Sequence, residues 1–203
     1  MSIAIRLARP DDTAAIATIY APYVTDTVIS FETVSPDEHE MAHRLAKTLA
    51  RFPWLVAMCD GEVAGYAYAG QHRERAAYQW SADVSVYVHK DFQRRGIGRA
   101  LYTSLFAILR ALGYYNVYAG IALPNPASVA LHEAMGMTPV GVYRHVGYKG
   151  GMWHDVGWWE GSLRQQSAEP HPPRALLDVA SDTIWDGWLT NGELLARELR
   201  AQP

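Results

Sequence analysis

The sequence predicts a mixed α/β domain in which helices cover the faces of one sheet. Short apolar runs of strand length alternate with longer segments whose apolar residues recur at helical spacing. Glycine, proline and asparagine stand at the boundaries between these segments. The resulting order of elements, β-α-α-β-β-β-α-β-α-β-β, is typical of a mixed sheet with flanking helices. A length of 203 residues suits one domain with a full core.

The first elements are a strand and two helices. Residues 3–8 alternate as a strand does, and Asp11 or Asp12 is expected to cap the helix that follows. Pro22 is predicted to end that helix, because proline lacks the amide hydrogen that would continue it. Residues 25–32 are predicted to be extended. A second helix begins near residues 35–38 and carries on one face Met41, Leu45 and Leu49.

The other strands are predicted from apolar runs, and two further helices separate them. Asp60-Gly61 predicts a hairpin turn. A glycine loop precedes the longer helix, and Asn125 is expected to begin the shorter one, which ends at Gly136. The apolar stripe of the longer helix is Leu101, Leu105, Ile108 and Leu112. The strands are expected over residues 54–59, 63–69, 82–88, 117–121, 140–143 and 153–159.

The chain changes character after about residue 161. Residues 169–173, Glu-Pro-His-Pro-Pro, predict a linker, and the tail beyond it holds Ile184, Trp185 and Trp188 close together. We therefore expect one folded domain over residues 1–165. A C-terminal extension over residues 166–203 is expected to consist of a linker and a short helix. The aromatic cluster predicts that the tail docks on its own domain or on a partner subunit.

The composition excludes several classes of function. A net charge of −3 argues against a nucleic-acid partner, and no apolar run approaches the length of a membrane span. One cysteine rules out an internal disulfide and fits a cytoplasmic location, while Cys59 itself lies in an apolar run and is expected to be inert. The N-terminus does not resemble a signal peptide. The eight histidines show no metal-ligand spacing, so no metal site is expected.

Residues 86–100 predict a strand, a glycine loop and the start of a helix. This geometry aims free backbone amides and the positive end of the helix dipole at one point, where Gly96 and Gly98 would let an anion approach. A pyrophosphate is the natural ligand, although a plain basic turn is the alternative. A dinucleotide fingerprint would need glycine at Leu101, and no Walker loop is present. The remaining loop positions expected to contact the ligand are Arg94, Arg95, Ile97 and Arg99.

The pattern Gln-x-x-Gly-x-Gly at residues 93–98 resembles motif A of the GNAT acetyltransferases, and residues 123–137 resemble their motif B. The resemblance implies the GNAT acyl-CoA N-acyltransferase fold, a mixed and mostly antiparallel sheet that is splayed where acetyl-CoA binds. It implies that the loop amides hold the pyrophosphate, and that Asn125 binds the pantetheine arm, although Asn125 could equally be only a helix cap. It also implies that backbone groups of Val86, Tyr87 and Val88 bind pantetheine and polarise the thioester.

The resemblance narrows to the phosphinothricin and methionine sulfoximine N-acetyltransferases over about residues 3–160. His132 stands where most GNAT enzymes carry tyrosine and this group carries histidine. The sequence is also similar to this group at residues 31–32, 66–70, 77–80, 147–149 and 153–157. The resemblance implies acetylation of the α-amino group of a small amino acid or glutamate analogue by direct amine attack on acetyl-CoA. It further implies a homodimer and a role in resistance to such inhibitors.

Acetyl transfer to an ammonium requires a base. Asp83 matches the glutamate that acts as general base in the related enzymes, but its side chain is one methylene shorter, so we expect it to act through water or on a closer substrate. Its alternative role is to cap or orient a strand end. His132 is expected to take part in proton transfer or to position the acetyl group, and its alternative is a structural role inside the core.

The acceptor's carboxylate requires a cation, which an arginine supplies with two donors. The resemblance assigns the acceptor contacts to Phe31, Arg73, Arg75 and Tyr78, with Arg73 in place of a lysine. His154 and Asp155 are interpreted as structural, because neighbours on a strand point to opposite faces. Two other functions stay open: a CoA-binding regulatory module with weak turnover, and an acetyltransferase of peptide or protein N-termini.

Overall fold

The computed structural model of the protein describes residues 3–179 and 185–201. These residues form a seven-stranded sheet in the spatial order β1-β2-β3-β4-β5-β7-β6. The strands are β1 (Ile3–Leu7), β2 (Trp54–Cys59), β3 (Glu62–Gln71), β4 (Ser81–Val88), β5 (Asn116–Leu123), β6 (Thr138–Lys149) and β7 (Met152–Ser162). The helices are α1 (Thr13–Thr25), α2 (Glu38–Leu49), α3 (Ile97–Leu112), α4 (Pro126–Ala134) and α5 (Trp185–Ala201). The predicted mixed α/β architecture is confirmed.

The two faces of the sheet carry different helices. On what we call the α3 face, Val84, Val86 and Ala119 pack in the core cluster that contains the buried residues of α3. On the opposite α1 face, Tyr66 and Tyr87 pack in a second cluster with α1 and α2. Side chains alternate along a strand, so each residue of β4 is assigned to one face by its number.

The structure corrects two predictions in the first helical region. Pro22 lies inside α1, which continues to Thr25, and Val24 beyond the proline is buried at 1% exposure. The missing proline amide costs one hydrogen bond near the helix end, where the packing of Val24 offsets it. Residues 26–32 form bends instead of an extended segment, because Thr27 Oγ1 donates to the Tyr23 carbonyl and accepts from the Ile29 amide.

Asp12 occupies the N-cap position of α1, but its side chain does not cap the helix. Its carboxylate makes no side-chain cap bond to the helix. Instead it accepts two hydrogen bonds from Arg6 and one from the Arg9 amide. In α2, by contrast, Asp37 caps the helix by accepting from the Glu40 amide, and Met41 and Leu45 of the predicted apolar face are buried.

The C-terminal helix packs against α3 and β1. The Ile5 amide on the outer side of β1 donates to Glu193 Oε1 at 2.8 Å, and Ser104 Oγ donates to the Leu189 carbonyl at 3.1 Å. A Cβ at Gly192 would meet the Ala100 carbonyl oxygen at 2.3 Å, so only glycine allows this approach. α5 therefore covers the unpaired edge of β1.

The predicted division at residue 165 stays a prediction. Trp188 packs partly buried against the α3-face cluster, as one of the two predicted docking modes requires. Ile184 and the side chain of Trp185, which belong to the same predicted cluster, lie outside the described residues. None of the described helices is long and apolar enough to cross a bilayer.

Candidate active site

The two central strands separate after three residue pairs and open a cleft in the sheet. β4 and β5 run parallel and pair only Ser81–Asp83 with Asn116–Tyr118. Beyond Asp83, the described residues include no further β4–β5 pair. The splayed sheet expected from the resemblance is therefore present, and the cleft begins beside Asp83.

The backbone of Val86 faces this cleft. The amide of His89 donates to the Ala64 carbonyl, so by alternation the backbone groups of Tyr87 face β3, and those of Val86 and Val88 face away from it. Val88 is already engaged, because its carbonyl accepts from the Tyr23 hydroxyl at 2.7 Å. Of the three predicted backbone contacts, Val86 thus has the geometry that a thioester or pantetheine amide requires.

A cavity spans the cleft from one face of the sheet to the other. Ile29 reaches it from the loop after α1, and Tyr102 and His132 reach it from α3 and α4. Tyr87 lines the same cavity with its side chain, which belongs to the aromatic cluster of the α1 face. The remaining lining residues are Val84, Ser85, Val86, Ala119, Gly120, Ile121, Ala122, Asn125 and Ser128.

The glycine loop ends at the N-terminus of α3 as predicted. Gly96 precedes the helix with φ +77°, a left-handed conformation that favours glycine. Gly98 also lets α3 approach α4, because a Cβ there would lie 3.1 Å from Leu131 Cδ2, and its predicted contact with the anion stays a prediction. The first amides of α3 have no intrahelical carbonyl to bind, and they present an anion site.

The basic residues of the loop surround this site. Arg94 is exposed in a left-handed conformation with φ +57°, and Arg99 lies half-buried in the first turn of α3. The Arg95 guanidinium stacks over the Phe92 ring at 5.4 Å from its centroid. The loop therefore offers backbone donors and positive charge together, which is what a pyrophosphate requires.

His132 is buried in a network on the α3 face. Its Nδ1 lies 2.7 Å from the Ser128 carbonyl oxygen, which only accepts, so Nδ1 carries the hydrogen. Its Nε2 then accepts from the Tyr102 hydroxyl at 3.1 Å. Burial lowers the pKa of His132 and keeps the imidazole neutral, and burial also raises the pKa of Tyr102. Tyr102 is a site residue that the sequence did not reveal. It donates a hydrogen bond to His132, and both residues line the cavity.

Asn125 caps a helix and also lines the cleft, so its two predicted roles do not exclude each other. Its Oδ1 accepts from the Ser128 amide at 3.1 Å and so begins α4 as a cap. The same residue lines the cleft cavity. The helix cap is therefore present, and its amide group remains available for the predicted contact with the pantetheine arm.

Asp83 lies on the α1 face beside a histidine that the sequence did not single out. His72 Nδ1 is 2.6 Å from Asp83 Oδ1. Partial burial raises the pKa of the Asp83 carboxyl, while His72 and Arg73 oppose that shift. The signal that could have found His72 is the hairpin register. β3 and β4 pair Gly70 with Asp83, which places residue 72 diagonally beside the carboxylate on the same face.

The predicted acceptor residues differ in how closely they contact the His72–Asp83 pair and its neighbouring rings. The Arg73 guanidinium stacks on Trp158 at 5.6 Å, and the Tyr78 ring meets the His72 ring edge-on at 6.0 Å. Trp158 Nε1 is buried without a hydrogen-bond partner among the described residues. Arg75 is exposed and immediately precedes the short 3-10 turn that contains Tyr78.

Phe31 is held at the edge of the α1 face by the strand β6. Gly147 leaves the space that the Phe31 ring occupies, since a Cβ there would overlap it. The loop of Phe31 is fixed on both sides, because Lys149 Nζ donates to the carbonyls of Val24 and Ser30. His154 lies under this loop and its Nε2 is 2.9 Å from the Lys149 carbonyl, in line with the predicted structural role.

Comparison with known proteins decides the family. The acetyltransferase (GNAT) domain family matches residues 5–158. The chain belongs to the GNAT acetyltransferases. It is 41% identical over 177 residues to a phosphinothricin N-acetyltransferase of Streptomyces viridochromogenes, covering 87% of this chain and 96% of that protein. It is 34% identical to an L-methionine sulfoximine/L-methionine sulfone acetyltransferase of Salmonella typhimurium, covering 81% and 96%.

Solved acetyltransferase structures share this fold, and two of them contain the acetyl donor, acetyl-CoA. A phosphinothricin acetyltransferase of Sinorhizobium meliloti, in complex with acetyl-CoA, superposes with a TM-score of 0.81 at 32% identity, covering 91% of this chain and 99% of that one. An acetyltransferase of Salmonella typhimurium, also with acetyl-CoA, gives 0.79 at 32% identity, covering 83% and 98%. The chain is thus an N-acetyltransferase that uses acetyl-CoA, and its described residues hold no cluster suited to a metal.

Proposed function

We propose that this acetyltransferase acetylates the α-amino group of a small amino acid or glutamate analogue, such as phosphinothricin or methionine sulfoximine. The observation that carries the proposal is the cleft between β4 and β5, which opens beyond Asp83 and is lined on the α3 face by Tyr102 and His132. The relatives named above act on such acceptors. Acetylation blocks the amine of these inhibitors, so the role is resistance.

The donor is held from the α3 face. The amides of Ile97, Gly98 and Arg99 bind the pyrophosphate after the turn at Gly96, with Arg94 and Arg95 beside it. Val86 and Asn125 bind the pantetheine arm along the cleft, and the Val86 amide donates to the thioester oxygen where charge develops. His132 and Tyr102 line the cavity at the far end and position the acetyl group.

The acceptor enters from the α1 face. Arg73 binds its carboxylate, with Arg75 as a more distant cation, while Phe31 and Tyr78 bound its side chain. Asp83, together with the His72 ring that it contacts, removes the ammonium proton. Once neutral, the amine attacks the thioester carbonyl directly, and no covalent enzyme intermediate is needed.

The partner and location of the chain follow from its surface and composition. Large apolar side chains are exposed along the β6–β7 hairpin, namely Val140, Val142, Tyr143, Val146, Tyr148, Met152 and Trp153. We expect this surface to be covered in a homodimer, which light scattering would show as twice the mass of the chain. The single cysteine, buried and free, suits the cytoplasm, where acetyl-CoA is available.

One assay tests the proposed function. Thiol release from acetyl-CoA is followed with phosphinothricin, methionine sulfoximine, the common amino acids and short peptides as acceptors. We expect turnover with the small acceptors and none with peptides, since Arg73 and Tyr78 suit one free carboxylate. Turnover with peptides alone would replace the acceptor class, and tight CoA binding without any turnover would indicate a regulatory module.

A further inference from the structure

The geometry of His72 is that of a supported base. An ionised carboxylate only accepts hydrogen bonds, so Asp83 fixes the hydrogen of the ring on Nδ1, at 2.6 Å from Oδ1. The lone pair is then on Nε2, which has no hydrogen-bond partner among the described residues. A histidine held by a carboxylate in this tautomer is the arrangement that serves as a general base in hydrolases.

The His72 ring is also fixed in orientation. It stacks on Tyr118 with centroids 4.3 Å apart and planes at 17°. The edge of Trp158 closes another side at 6.3 Å. The His72 side chain is 12% exposed, whereas that of Asp83 is 36% exposed. The ring is therefore held on two sides, and Nε2 is left as an acceptor with no hydrogen-bond partner among the described residues, as a general base requires.

Asp83 is less suited to be the base itself. One of its oxygens is engaged with His72, and its side chain is shorter than the glutamate of the related enzymes. An aspartate has an ordinary pKa of about 3.9 and a histidine about 6.5, so the imidazole accepts protons more readily near neutral pH. A carboxylate beside an imidazolium stabilises its charge, which is a positioning role.

Building on the proposed function, we propose that His72 is the catalytic base through Nε2 and that Asp83 is its positioning residue. His72 takes one proton from the acceptor ammonium and becomes an imidazolium paired with Asp83. The amine lone pair then forms the C–N bond, and the C–S bond breaks with its electron pair on sulfur. The second amine proton ends on that thiolate, and His72 returns its own proton to solvent.

The charged, titratable and aromatic groups that face His72 come from four elements. Asp83 on β4 is in direct contact, and Arg73 is the next residue in the chain. The others that face this region are Tyr118 on β5, Glu160 beside Tyr118, Tyr78 on the turn, and Trp158 on β7.

His72→Asn separates the two assignments. The asparagine amide still donates to Asp83 from the position of Nδ1, but nothing remains to accept a proton at Nε2. We expect kcat/KM for the acceptor to fall about 100-fold or more and the acidic limb of its pH profile to disappear. His43→Asn, at an exposed histidine of α2, is the matched control and should leave both unchanged. A His72→Asn enzyme with the wild-type limb and rate would overturn the inference and leave the proposed function standing.

A measurement that needs no acceptor completes the test. The imidazole signals of the wild type and of Asp83→Asn are compared by NMR. We expect the His72 signals to move in Asp83→Asn and those of His43 to stay in place, because the His72 ring loses its carboxylate hydrogen-bond partner. An unchanged His72 signal would overturn the pairing, even if no acceptor in the panel supported turnover.

Discussion

His132 and His72 lie on opposite faces of the same sheet and have opposite surroundings. His132 is 4% exposed, and its Nδ1 donates to an uncharged backbone carbonyl. His72 meets the carboxylate of Asp83. Burial without a counter-charge favours the neutral ring, whereas a carboxylate stabilises the charged one. The difference teaches that the two histidines suit different tasks, and we expect His132 to position the acetyl group and the His72–Asp83 pair to remove the proton.

The largest expected effect is on the acceptor's side. Asp83→Asn should lower kcat/KM for the acceptor about 100-fold or more, because the imidazolium that forms on His72 loses the carboxylate that stabilises its charge. Steady-state thiol release measures it. An Asp83→Asn enzyme within threefold of the wild type would remove this pair from the reaction.

Tyr102→Phe tests the donor side of the comparison. We expect kcat to fall about tenfold and stability by about 1–3 kcal/mol, because the buried Nε2 of His132 loses its donor. The acidic limb of the pH profile should stay where it is. A limb displaced by this variant would mean that His132 also moves the acceptor's proton.

The two arginines sharpen the picture of the acceptor pocket. Arg73→Ala should raise the KM of the acceptor about tenfold or more and leave that of acetyl-CoA unchanged, because a charge-assisted bond to a carboxylate is lost. Arg75→Ala should have the smaller effect, since it is the Arg73 guanidinium that packs on Trp158, next to the His72 ring. Equal changes in both KM values would place the arginines outside the acceptor site.

The lowered pKa of His132 predicts a pH dependence of stability. The window lies between the pKa of His132 in the folded protein and its ordinary value of about 6.5. Within this window the unfolded chain binds a proton that the native chain does not. The free energy of unfolding therefore falls as the pH falls through it, by at most about 1.4 kcal/mol per pH unit. Urea unfolding at pH 8 and 5.5 measures this, and His132→Gln should flatten the dependence. His43→Gln, at an exposed site, should leave it unchanged.

The smallest effect on activity is expected behind α3. Gly192→Ala should destabilise the fold by about 1–3 kcal/mol, because the added methyl overlaps Ser104 and Ala100, and kcat should stay unchanged. Gly187→Ala in the same helix meets nothing within 4 Å and should raise stability slightly. Thermal unfolding compares the pair, and equal melting temperatures would argue against the observed docking of α5.

Local patterns predicted the fold better than they predicted the partners of the site. Apolar periodicity placed the strands and helices, and the loop at Gly96 placed the anion site. Pro22 was misjudged because the packing of Val24 is a tertiary effect. Tyr102 and His72 were missed because each gains its role from a contact across the chain, with His132 and with Asp83.

The division of labour between the two faces has one direct test. The dissociation constant of acetyl-CoA is measured by isothermal titration calorimetry for the wild type and for Asp83→Asn. We expect donor binding to rest on the α3 face, so the two constants should agree within twofold, although turnover is lost. A constant raised tenfold or more in Asp83→Asn would show that Asp83 serves donor binding and would contradict the division.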